Sequence, residues 1–138
     1  MVIAFMTLVP MADAQITVKE KSNRETLLSI RMGFITLNYD GSYYLAMSTT
    51  NQFDNPMILP LGKEKKDAMS TIQALIDITT TIQKGDCVRI ESAYGEEFRI
   101  YRYAKNTITI NADGYAASSN TNKAELTKIL DAICFDVR

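Results

Sequence analysis

The apolar residues of this chain keep a period of two through short, turn-punctuated segments and switch to a helical period only twice. That pattern leaves few folds open, because a two-residue period builds half-buried strands and a 3.6-residue period builds amphipathic helices. Leu28, Ile30 and Met32 alternate with polar neighbours, and Ile35, Leu37 and Tyr39 alternate in the opposite phase, so a bulge or tight bend is expected at Gly33. Asp40-Gly41 marks a hairpin turn, with Tyr43 to Ser48 returning. Met57 to Leu61 is confined by Pro56 and by its own Pro60, which suits an edge strand. Cys87 to Ser92, Glu97 to Tyr103 and Thr107 to Ile110 read as a meander joined through Tyr94-Gly95 and Lys105-Asn106.

The two helical stretches close these runs. The first covers Lys63 to Thr81, with Ala68, Ile72, Leu75, Ile76 and Thr79 on one face. The second begins near Asn122, where Asn122 and Glu125 have the spacing of a capping box and Leu126, Ile129, Leu130 and Ile133 form the apolar stripe. Gly41 corresponds in order to Gly95, and Ile72, Leu75, Ile76 and Thr79 correspond to Leu126, Ile129, Leu130 and Ile133. The expectation is an α+β domain: an antiparallel sheet of about six strands with two helices on one face, arranged as two tandem βββα repeats. This order is similar to that of the small secreted inhibitors of beta-lactamase, although their sequence motifs do not occur here.

The N-terminus reads as an address and not as part of the fold. Val2 to Met11 is a short apolar run, and Ala12-Asp13-Ala14 gives the small-x-small pattern that a signal peptidase cuts before Gln15. No Lys or Arg precedes the run, and an N-terminal core strand is the competing reading. Residues 1–14 are therefore expected to be a truncated signal peptide, and residues 15–138 a single exported domain. A membrane span needs about twenty apolar residues, twice what this run offers, so no stable membrane insertion is expected.

Charge and composition narrow the function. The chain carries 15 Lys and Arg against 16 Asp and Glu, a net charge of −1. Such a balance offers no steering toward nucleic acid. It contains no His, which removes Ser-His-Asp and Cys-His catalysis and leaves no metal-binding set, so no enzyme activity, metal or cofactor is expected. Glu96 and Glu97 are strand neighbours, point to opposite faces and cannot flank one bond. The two cysteines, Cys87 and Cys134, fit either one disulfide or two separate thiols, with Cys134 expected to be buried beside Ile133 and Phe135. Met32, Met47, Met57 and Met69 are read as core filler.

One stripe stands out for binding. Arg99, Tyr101 and Tyr103 are expected on one face of their strand, with Phe98 and Ile100 on the core side and Tyr44 extending the stripe from the other half. Tyr and Arg supply large, semi-rigid contact area with a polar tip. The expected function is a non-catalytic binding or scaffold module for another protein or a glycan. The competing expectation is an inhibitor or immunity-type partner of an exported enzyme, acting through the loops Asn51 to Asn55 or Tyr94 to Glu97. Cross-strand aromatic pairing without a partner would account for the same stripe.

Overall fold

The computed structural model describes residues 24–49, 55–112 and 118–138. The expected signal segment, its cleavage point and nearly all of the Asn51 to Asn55 loop lie outside the described residues. The fold is α+β. Four strands, β1 (Glu25–Ile30), β2 (Ile35–Tyr39), β3 (Tyr43–Met47) and β4 (Met57–Gly62), precede the helix α1 (Lys65–Thr81). Four more, β5 (Cys87–Glu91), β6 (Glu97–Ala104), β7 (Thr107–Ala112) and β8 (Ser118–Asn122), precede α2 (Lys123–Phe135). Each set forms its own antiparallel sheet in chain order.

Two four-stranded sheets thus replace the single six-stranded sheet expected from sequence, for two physical reasons. The phase change near Gly33 is a chain reversal: Ile30 pairs with Ile35, and the Phe34 N–H donates to the Arg31 carbonyl at 3.2 Å. One long alternating segment is therefore two strands. The second reason is β8, whose sequence Ser-Ser-Asn-Thr-Asn carries no apolar residue, yet Ser119 and Thr121 are buried against Ile110 and Ile108 of β7.

Inner-face residues align across each sheet. Leu37 faces Leu45, which faces Leu59, and the next rung is Ile35, Met47 and Met57. In the second sheet Ile100 stands between Val88 and Ile110, and Phe98 between Ile90 and Ala112. Helix α1 buries Ala68, Ile72, Leu75, Ile76 and Thr79, and α2 buries Leu126, Ile129 and Ile133. The helices pack directly on each other, α1 also on β4, and α2 on β1 and β8. The apolar side chains among these join one core spanning both sheets. Each fully buried Ile or Leu contributes roughly 1.5–3 kcal/mol by leaving water.

Local expectations fared unevenly. Asn122 caps α2, its side-chain oxygen accepting from the Glu125 N–H at 2.8 Å. The Glu125 carboxylate, however, is taken by Arg31 at 2.7 Å and by the Thr121 hydroxyl at 3.0 Å. Met47 and Met57 are core residues, but Met32 is fully exposed at the tip of the β1–β2 turn. Leu130 is only partly buried. No helix among the described residues is long and apolar enough to cross a membrane.

Candidate functional site

Strand alternation fixes what the outer face of the second sheet displays. With Phe98 and Ile100 turned into the core, Arg99 and Tyr101 must turn outward. The pairing register then sets their neighbours. Tyr101 lies between Cys87 of β5 and Thr109 of β7, and Thr109 lies beside Asn120 of β8. Arg99 lies between Arg89 and Asn111. The Thr109 hydroxyl donates to the Asn120 side-chain oxygen at 2.7 Å, which holds that side of the surface in place. Arg89 reaches Glu97 at 3.9 Å, a loose and exposed ion pair.

Tyr101 keeps 40% of its surface exposed and Tyr103 keeps 66%. Tyr103 does not continue the simple alternation. Arg102 pairs with Ile108 and Ala104 with Thr107, so Tyr103 is the extra residue of a bulge. The expected three-residue stripe is therefore Arg99 and Tyr101 on the regular face, followed by Tyr103 on a locally twisted strand end. Tyr44 belongs to the other sheet, half-buried between Asn38 and Pro60, so the stripe is a property of β6 alone.

The Cys87 thiol beside Tyr101 pushes that hydroxyl's pKa up, first by hydrogen bonding and then by charge, while Arg99 pulls it down. A protonated phenol, an exposed ring and a neighbouring guanidinium make a surface suited to stacking and hydrogen bonding. Cys87 and Cys134 are both free and exposed, so the expected burial of Cys134 is overturned: it lies off the apolar stripe of α2, and Ile133 alone turns inward. The two thiols are not joined. Among the described residues, no three metal-ligating acidic or thiol side chains converge.

The turn between β5 and β6 is the second exposed feature. The Ser92 hydroxyl accepts from the backbone N–H groups of Tyr94 and Glu96, both at 3.2 Å, and Gly95 takes φ 88°. This fixes the turn and leaves the Tyr94 side chain exposed at its tip. A hollow lies between the β6–β7 turn and the start of α2, lined by Lys105, Asn106, Thr107, Asn122 and Lys123. Two of its N-terminal donors are already used: the Lys123 N–H donates to the Asn106 carbonyl and the Glu125 N–H to Asn122.

Two polar clusters went unseen in the sequence. At the C-terminal end, the Tyr43 hydroxyl donates to the Asp136 carboxylate at 2.5 Å, and Lys65 donates to the Asp136 carbonyl. Arg138 bonds the same carboxylate at 2.6 Å, pairs with Glu25 and stacks over the Tyr39 ring at 4.4 Å. The second cluster centres on Arg31, which stacks on Phe34 and donates to Glu125 and to the Asn120 carbonyl. Both join residues about ninety or more positions apart, for which a linear pattern holds no signal. No known protein family, curated protein or solved structure matches the chain.

Proposed function

We propose that the protein is an exported, non-catalytic binding module that presents the outer face of its second sheet to another protein or a glycan. The observation that carries the reading is the exposure of Tyr101 and Tyr103 on a strand whose inward neighbours, Phe98 and Ile100, are buried. Large aromatic area beside a guanidinium is the composition of an interface anchor. Export rests on the Ala12-Asp13-Ala14 pattern of the sequence. The near-neutral charge favours a partner held by stacking and hydrogen bonds over a nucleic acid.

A second reading, an inhibitor-type partner of an exported enzyme, is favoured by one observation. Tyr94 stands exposed on a turn whose backbone is fixed by Ser92. A rigid exposed loop lowers the ordering cost of entering a cleft.

The test compares capture of envelope and secreted components by the tagged chain, by the Arg99→Ala/Tyr101→Ala/Tyr103→Ala variant and by Tyr94→Ala. The face reading expects the triple variant to keep its circular dichroism spectrum and lose its partner, with affinity falling at least about tenfold, since one interface anchor is commonly worth ≥2 kcal/mol. Tyr94→Ala would then bind as before. Unchanged capture by the triple variant, with loss in Tyr94→Ala, overturns the face reading in favour of the loop.

A further inference from the structure

Sheets expose unpaired backbone at their edges, and natural proteins close those edges by recognisable means. Among the described residues, three of the four sheet edges carry such a device. In β1 the register shifts between Thr26 and Leu28, and Glu25 is held by Arg138. In β4, Pro60 removes a backbone donor. In β8, the Asn120 carbonyl accepts from Arg31 at 2.7 Å. Strand β5 differs: it pairs with β6 at five consecutive positions without a shift, it has no proline, and its inward residues Val88 and Ile90 are only half-buried.

The hairpin shows which backbone groups of β5 are left over. The Ser92 N–H donates to the Glu96 carbonyl at 2.7 Å, so Ser92 and Glu96 form a hydrogen-bonded pair. Bonded and non-bonded pairs alternate along an antiparallel ladder, which assigns the bonds to Ile90 with Phe98 and to Val88 with Ile100. Cys87, Arg89 and Glu91 therefore turn their N–H and C=O groups away from β6, toward an edge that no described strand pairs.

We propose that this edge pairs with the same edge of a second copy of the chain, antiparallel and about a two-fold axis at Ile90, to give one eight-stranded sheet across the dimer. Charge selects both the occupant and the register. Only outward-bonding residues can face each other as bonded pairs, so Arg89 meets Arg89, Glu91 meets Glu91, or Arg89 meets Glu91, while the registers that bring Cys87 opposite Cys87 or Arg89 form no pair of opposite charges. The first two place like charges side by side on one face, which is destabilising. The third forms two cross-strand Arg89–Glu91 ion pairs on the outer face and sets Ile90 against Ile90 on the inner face, extending the burial that the edge leaves incomplete. A two-fold axis normal to the sheet keeps both outer faces on the same side, so the Arg99–Tyr101 surfaces of the two copies would form one platform. The pairing uses the edge and not that face, and it stands or falls independently of the binding proposal.

Sedimentation velocity on the full chain across micromolar concentrations tests it. The expected result is a reversible monomer–dimer equilibrium. Arg89→Glu alone and Glu91→Arg alone each place like charges in register and weaken dimerisation by about tenfold or more. An equimolar mixture of the two variants restores it, because every facing pair is then of opposite sign. Recovery in the mixture also shows that both variants are folded. A monomer at every concentration, a dimer that neither substitution weakens, or a mixture that stays monomeric overturns the proposal.

Discussion

A single residue at the tip of the first hairpin stands against its own backbone. Met32 and Gly33 are the central residues of the β1–β2 turn, with φ of 56° and 93°, and Arg31 before them has φ 51°. Turns that join twisted antiparallel strands call for positive φ at both central positions, which is why Asn-Gly is the common sequence there. Glycine meets that demand at no steric cost, whereas an L-residue with a long side chain does not. The Met32 side chain is fully exposed and offers no burial in return. Met32→Asn is therefore expected to raise stability by roughly 0.5–1 kcal/mol, seen as a higher urea midpoint at unchanged slope. The strain at Arg31 has a counterpart: its side chain is held between Phe34, Glu125 and Asn120, and the turn is fixed to the far half of the molecule by that contact.

At the scale of elements, β8 carries a comparable conflict. Ser119 is buried on the inner face opposite Ile110, and among the described residues its hydroxyl has no hydrogen-bond partner. An unpaired buried hydroxyl costs about 1–3 kcal/mol. Ser119→Ala, which removes that oxygen and little else, is expected to stabilise the protein by about 1 kcal/mol in urea unfolding. The same strand explains the limits of the sequence pattern. Periodicity located α1, α2, β3, β4 and the β5–β7 meander because each carries apolar residues at regular spacing. It could not locate β8, whose inward positions are Ser119 and Thr121, and it merged β1 with β2 because a reversal and a bulge both invert the phase at Gly33. The site was legible in the same measure. Arg99 and Tyr101 followed from strand parity, but the bulge at Tyr103 and the pairing of Tyr101 with Cys87 depend on register, which no residue announces in the chain.

Across the whole molecule, the halves are joined by the shared core and by a buried polar latch. Burial, followed by the hydrogen bond to Asp136, raises the Tyr43 pKa from 10.0 to about 12. The folded state thus holds the Tyr43 proton to higher pH than the unfolded chain does. This contribution is complete below pH 10 and is lost as pH climbs from about 10 through about 12. Tyr43→Phe, which leaves the buried Asp136 carboxylate short of a donor, is expected to cost about 1.5–3 kcal/mol at neutral pH. The stability gap between the two proteins, followed by urea unfolding from pH 8 upward, should narrow above pH 10; a constant gap would show that the latch does not hold the proton. The latch also bears on connectivity. Arg138 pairs with Glu25, the first residue of β1, so the two ends of the described residues lie side by side. Between those two ends stands an ion pair, at a place where a covalent linker could stand instead. A permuted chain that runs from Gly85 to Arg138 and continues through a short linker into the segment from Arg24 to Lys84 would exchange the order of the halves while keeping both sheets and the shared core.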